Sequence, residues 1–310
     1  MIDLFERLGL RDGGSPADAG RGADAEAEAE AEAAEAAGDA GVDGEAALAE
    51  ITEKADSFVV VLTASGTHIG TREYQQDALY VSDTVCFRRG EDPRVLGVLC
   101  DGMGGMENGG DASRLVVEAL ASSLPEIRGC EDIHAFFHDA IRVLDAEISA
   151  RYGSGSSGTT LTAAVVEGNR LYWASVGDSR VYILRGKEMV QVTRDHNYML
   201  KLQDEVSRGL ITGAEAEADP KKEALISYIG AGSVDLIDSN REPFTLISGD
   251  IVLMCSDGLT KSLSDEEIAD IICEHYGDVR ETARLLPLYA FDRGDGSKDN
   301  TSVILIQYLE

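Results

Sequence analysis

Val95-Leu96-Gly97-Val98-Leu99-Cys100-Asp101-Gly102-Met103-Gly104-Gly105 is the stretch that decides how this chain is read. An unbroken apolar run reads as a buried strand, and it ends in an acidic residue set among glycines. Such a turn brings a carboxylate and bare backbone close to a ligand. The pattern recurs. Ile251 to Cys255 is apolar and ends in Ser256-Asp257-Gly258; Lys298-Asp299-Asn300 comes just before the apolar run Ser302 to Leu309. Gly177-Asp178-Ser179-Arg180 forms a tight connection between Leu171–Val176 and Val181–Leu184. Carboxylates gathered at one end of a sheet repel one another unless cations neutralise them. The expectation is a site for hard divalent metals.

With 310 residues the chain is long enough for a full core. It holds 57 Asp and Glu against 27 Lys and Arg, for a net charge of -30. Residues 1–56 account for 16 of the acidic and 4 of the basic side chains, and the remainder is still strongly acidic. That balance argues against nucleic acid and anionic membrane as partners. Five cysteines without CxxC spacing, and no leader-like segment, predict a reducing, cytoplasmic setting. Cys100 and Cys255, inside apolar runs, read as small buried hydrophobes. No apolar stretch approaches the roughly 20 residues that span a bilayer.

Residues 1–56 read as an acidic, disordered N-terminal extension. Met1–Leu10 (MIDLFERLGL) spaces Ile2, Leu4, Phe5 and Leu8 as a short amphipathic helix would, either a frayed terminus or a docking peptide. The Ala-Glu run that follows has no apolar stripe to bury. Residues 57–310 read as one domain. Strands are expected at 58–64, 78–82, 95–100, 161–166, 170–176, 181–185, 189–193, 244–247, 251–255 and 302–309, several joined by short hairpin links. Apolar periodicity predicts helices over 111–124 and 133–152. Ser264-Asp-Glu-Glu267 is a capping box opening a third helix to about Tyr276, and Asp278–Glu281 opens a fourth that Pro287 should kink or shorten. Strands in two batches with helix pairs between them predict an α+β fold of two packed antiparallel sheets, each covered by helices.

In order along residues 60–309, the chain carries Arg72-x-x-Gln75-Gln76-Asp77, Asp101-Gly-Met-Gly-Gly, Ser157-Gly-Thr-Thr160, Gly177-Asp-Ser-Arg180, Asp195-His196, Gly249-Asp250, Ser256-Asp-Gly-Leu259 and Asp299-Asn-Thr301. Together these resemble the type-2C metal-dependent protein serine/threonine phosphatases in their bacterial form. The resemblance implies a four-layer α-β-β-α sandwich of two antiparallel sheets flanked by helices, with two or three Mn²⁺ or Mg²⁺ ions at one end. It implies that Asp101 bridges two ions, that the Gly102 carbonyl is a further ligand, and that Asp257 and Asp299 complete the first ion. Asp77 would hold water on the metals, and Asp178 matches a third-ion position. It also implies phosphorylated protein substrates, an opposing serine/threonine kinase and a monomeric enzyme.

Residue chemistry points the same way. Carboxylates, carbonyls and water suit Mg²⁺ or Mn²⁺, whereas zinc favours His or Cys. Two such ions at a binuclear centre activate water for attack and stabilise charge on phosphoryl oxygens, with no side-chain nucleophile. Arg72 reads as a phosphate clamp, or else as a surface ion pair with Glu73 or Asp77. Arg180 reads as a structural salt bridge to a nearby acid. Two positions depart from the family: Gln75 stands where Asn is common, and Met103 where animal members have a His proposed as general acid. A thioether cannot donate that proton.

His134 and His138, four apart, read as a solvated helix face, because the Glu of the zincin pattern is missing. His196 reads as a hydrogen bond to backbone. Gly153–Thr160 lacks the Gly-Lys-Ser/Thr ending of a phosphate loop and reads as a close-packed entry to the next strand. Residues 197–235, rich in charge at Lys201, Asp204, Glu205, Arg208, Lys221 and Lys222, read as a surface excursion or a substrate-contacting flap. The functions that fit are a protein phosphatase, a catalytically silent regulatory module on the same fold, or a phosphatase for a small metabolite. The intact set of Asp77, Asp101, Asp178, Asp257 and Asp299 speaks against silence.

Overall fold

A computed structural model describes residues 58–103, 108–293 and 298–310. The expectations for Met1–Leu10 and for the acidic run after it lie outside these residues. The elements are, in order, β1 (Phe58–His68), β2 (Asp77–Val81), β3 (Val85–Arg88), β4 (Arg94–Asp101), α1 (Gly109–Ser122), α2 (Leu124–Gly129), α3 (Ile133–Tyr152), β5 (Leu161–Glu167), β6 (Arg170–Val176), β7 (Arg180–Arg185) and β8 (Glu188–Gln191). Then follow α4 (Tyr198–Ser207), α5 (Gly213–Ala218), β9 (Asp238–Ser239), β10 (Phe244–Thr245), β11 (Ile251–Cys255), α6 (Asp257–Thr260), α7 (Asp265–Glu274), α8 (Val279–Arg293) and β12 (Thr301–Leu309).

The strands form two sheets, one ordered β3-β1-β12-β11-β7-β8 and the other β10-β6-β5-β4-β2, with β9 also on β6. The pairings β1–β12, β12–β11, β11–β7 and β7–β8 in the first, and β2–β4, β4–β5 and β5–β6 in the second, are antiparallel. Alternation along β4 shows why its run is unbroken. Val95 and Leu99 pack between the sheets, while Leu96, Val98 and Cys100 pack under α1, α2 and α3. In β12, Ile304, Ile306 and Tyr308 point between the sheets, and Val303 and Leu305 point to α6, α7 and α8. A strand buried on both faces must be apolar at every position. The three cores therefore separate four layers, α-β-β-α, as the sequence led us to expect.

Several details depart from the sequence reading. The short strands β3 and β9 and the short helices α2 and α6 were not expected, and the flap segment carries two helices, α4 and α5. Pro287 does not shorten α8, which runs through it to Arg293. A proline removes the hydrogen bond to the carbonyl four residues earlier, here that of Ala283. That oxygen lies against β1 at Gly66, where a Cβ built on the backbone would fall 1.8 Å from it. Pro287, Leu286 and Ala290 are meanwhile buried, so packing offsets the missing bond. The expected cap is present: Ser264 and Glu267 exchange side-chain to backbone hydrogen bonds at the start of α7.

Candidate metal centre

Strand register sets up the conflict at the site. In the β2–β4 pair Asp77 lies directly opposite Asp101, so two like charges share one face, an arrangement that opposes pairing. Asp101 ends β4 and its backbone is fixed on three sides. Its N–H donates to Thr160 Oγ1 at 2.9 Å, and its carbonyl accepts from Thr160 N and Thr159 Oγ1, each at 2.9 Å. Gly102 N donates to the Gln76 carbonyl at 3.1 Å. A Cβ at Gly102 would lie 2.5 Å from the Gly109 carbonyl and 2.6 Å from that of Gln76. Only glycine lets these three backbone segments meet.

The other sheet brings its own acids to the same place. Asp257 opens α6 directly after β11, and Asp299 precedes β12. Asp178 lies in the β6–β7 turn, which His196 holds: Nδ1 accepts from Gly177 N at 3.2 Å, and His196 N donates to the Gly177 carbonyl at 2.8 Å. The buried ring is pushed below the usual histidine range by its loss of water. It acts as the backbone tie expected of it. Asp101, Gly102, Met103, Thr160, Asp178, Asp257, Lys261 and Asp299 line one cavity of about 290 Å³, closed on one side by Glu223, Ala224 and Leu225. Asp77 does not line it. It is buried, and its Oδ2 accepts from Ser256 Oγ at 2.9 Å, while the same Ser256 oxygen accepts from Ser302 N at 2.9 Å.

These carboxylates are short of positive charge. Burial pushes Asp77 up to about 7; the Ser302 and Ser256 hydroxyls pull it back, and Asp257 and Asp299 push it further. Asp178 also rises to about 7, through burial and then Asp257, against the opposing Lys261. Asp101 is held well above the carboxylate range by burial and by Asp77, Asp257, Asp178 and Asp299. Asp77 Oδ1 and Asp257 Oδ1 are buried without a hydrogen-bond partner. An all-oxygen donor set with unpartnered buried carboxylate atoms fits a hard cation. Among the described residues no three acidic, His or Cys side chains already converge on a single ion position, for a visible reason. Asp257 Oδ2 is taken by Lys261 Nζ, and Asp299 Oδ2 by Arg72 Nη2 at 2.8 Å.

Arg72 therefore pairs with Asp299 across 227 positions of sequence, and not with Glu73 or Asp77. Gln75, the departure from the family, secures this loop by donating to Thr67 Oγ1 at 2.5 Å and accepting from Asp77 N at 3.2 Å. Arg180 clamps Asp195 through both Nε and Nη2 and also reaches Tyr182 OH at 2.9 Å, as a structural bridge. His138 lies outside the cavity lining with Nε2 2.9 Å from Ser239 Oγ, its ring stacked near that of His134. The flap reaches the cavity through Glu223–Leu225, not through the charged residues singled out from sequence.

Three contributors escaped the sequence reading. Ser256 sat unremarked beside Asp257. Asn300 Oδ1 accepts from Gln76 N and its Nδ2 donates to the Ile69 carbonyl, each at 2.8 Å, tying the Arg72 loop to β12. Lys261 follows Asp257 by four residues, a spacing that in a helical turn puts both side chains on one face. Burial works against its ammonium, but Asp257 first, and then Asp178 and Asp299, hold it above the usual lysine range.

The profile of the family described as Protein phosphatase 2C matches residues 66–286. The chain belongs to that family. It is 36% identical over 216 residues to the serine/threonine protein phosphatase PstP of Mycobacterium tuberculosis, an alignment taking in 68% of this chain and 40% of that protein. It is 31% identical over 223 residues to protein phosphatase PhpP of Streptococcus pneumoniae, covering 70% of this chain and 87% of that one. A crystal structure of M. tuberculosis PstP/Ppp has a TM-score of 0.64 at 32% identity, covering 81% of this chain and 99% of that chain. The PstP catalytic domain in complex with two manganese ions has a TM-score of 0.62 at 30% identity, over 81% of this chain and 100% of that one. This protein phosphatase 2C chain thus spans 40% of the length of the PstP protein it matches. Among its described residues no helix is long and apolar enough to cross a membrane.

Proposed function

We propose that this chain hydrolyses phosphoserine and phosphothreonine in proteins with two Mn²⁺ or Mg²⁺ ions held by Asp101, the Gly102 carbonyl, Asp257 and Asp299. The observation that carries the reading is the convergence of aspartates from both sheets on one cavity, with buried carboxylate oxygens left unpartnered. Such ions, when bound, supply an activated water and stabilise charge on the phosphoryl oxygens.

The protein's own part is positioning. Ser256 fixes one oxygen of Asp77 and leaves the other buried and unpartnered, so Asp77 would orient water held on the ions. Arg72, whose half-exposed guanidinium pairs with Asp299, one of the acids lining the cavity, would fork onto the phosphate of a bound substrate. Met103 lines the cavity, and its thioether supplies no proton to the departing serine or threonine oxygen. Residues 57–310 form the catalytic domain in this reading, and residues 1–56 an acidic extension. A serine/threonine kinase supplies the phosphoproteins, and the five free cysteines suit a reducing compartment.

Release of phosphate from a phosphothreonine peptide, beside a panel of phosphorylated metabolites, tests the reading. Turnover is expected on the peptide with added Mn²⁺ or Mg²⁺ and none in EDTA. Full activity after chelation would remove the two-ion mechanism, and turnover confined to metabolites would replace the protein substrate.

A further inference from the structure

Lys261 is the single cationic side chain among the described residues lining the metal cavity. Its ammonium contacts Asp257 Oδ2, and its field also reaches Asp178. The Asp257 carboxylate is thereby split: Oδ2 faces lysine, whereas Oδ1 is buried and unpartnered. Asp178 shares the cavity lining with Lys261 and feels its charge. It has no side-chain partner among the hydrogen bonds and ion pairs of the described residues.

Charge balance gives this arrangement a meaning. Asp77, Asp101, Asp178, Asp257 and Asp299 bring five negative charges when ionised, and Glu223 in the lining and Arg72 on Asp299 add one charge of each sign that cancel. Two divalent cations and one ammonium bring five positive ones. A third divalent ion beside Lys261 would overcharge the cluster and place two cations at contact distance, where repulsion at low dielectric is strong. We propose that Lys261 is a built-in third cation of this centre, neutralising the Asp178–Asp257 side so that the cluster accepts two divalent ions and no more. The inference rests on the two-ion reading above. It sets aside the third ion that the family resemblance allows.

The test is the stoichiometry of Mn²⁺ binding to chelator-stripped full-length protein, measured by equilibrium dialysis with metal analysis and by calorimetry. The wild type should bind two equivalents. Lys261→Met, which keeps the length of the side chain and drops its charge, should bind three. Lys261→Arg should return to two, and Lys261→Met with Asp178→Asn should lose the added equivalent. Lys261→Gln serves the same comparison if the methionine variant does not fold. Three equivalents in the wild type, or two in both Lys261→Met and Lys261→Gln, overturns the proposal and leaves the phosphatase reading standing. No bound Mn²⁺ in any form overturns the phosphatase reading itself.

Discussion

Replacing Asp77 by Asn should stabilise the metal-free protein and destroy the enzyme. The carboxyl is buried, faces Asp101 across the β2–β4 ladder, and is displaced from 3.8 to about 7. At ~1.4 kcal/mol per pH unit, that displacement means the ionised native state carries a penalty of about 4 kcal/mol above pH 7. An amide of the same shape removes the charge. It weakens the hydrogen bond from Ser256, worth roughly 1 kcal/mol, which leaves a net gain of about 3 kcal/mol. For a domain of this size that is a rise in Tm of roughly 6–12 °C. The sign has a pH signature. Because the native-state value is raised, the native fold binds the proton more tightly than the unfolded chain. The penalty is therefore absent below the unfolded value of 3.8 and grows as pH climbs toward about 7. Thermal unfolding in EDTA should show the Asp77→Asn advantage at pH 8 and little of it at pH 5. Saturating Mn²⁺ should narrow the difference, since bound cations neutralise the charge that penalises the wild type and stabilise the native state that holds them. Equal or lower Tm for the variant at pH 8 in EDTA, or a difference that ignores pH, would refute the electrostatic argument.

Arg72→Ala should mainly raise KM for phosphopeptides, because its role is to hold phosphate in both ground and transition states. Its stability effect should stay within about 0–1 kcal/mol, as its pair with Asp299 is partly exposed; unchanged steady-state kinetics would leave it a surface ion pair. Gly66→Ala should destabilise by the upper end of ~1–3 kcal/mol or more, since its Cβ would collide with the Ala283 carbonyl; chemical denaturation with an unchanged midpoint would show that α8 can move aside. Deleting residues 1–56 should preserve metal-dependent hydrolysis of p-nitrophenyl phosphate, because every proposed ligand lies after Phe58. Any effect should appear with protein substrates and weaken in salt; loss of activity on the small ester would move the domain boundary.

The layers and the acids were legible because they are local. An apolar run such as Val95–Cys100 declares burial on both faces, and an Asp at its end declares the edge where backbone meets a ligand. What stayed hidden depends on contacts between distant residues. The Arg72–Asp299 pair joins positions 227 apart, and the Asn300 bridge to Gln76 has no local pattern at all. Pro287 misled for the same reason, since proline's penalty is written in the helix and its compensation lies in the packing of α8 against the sheet. Strands β3 and β9 are too short to show a period. Lys261 could have been found, as the Asp257–Lys261 spacing is local, but only once a helix was expected immediately after Asp257.

Asp77 and Asp101 belong to one sheet, whereas Asp257 and Asp299 flank strands of the other. The two halves of the sandwich are thus pushed apart at one pole by their own charge, and a cation there works as a rivet between them. Occupancy becomes readable from the outside. Without ions, amide exchange should be fastest at Asp101–Gly102 and Ser256–Asp257, while the opposite ends of β11 and β12 stay protected. A cell short of manganese or magnesium would then hold this protein in a form that frays first at the pole where its aspartates meet, and opens there to proteases.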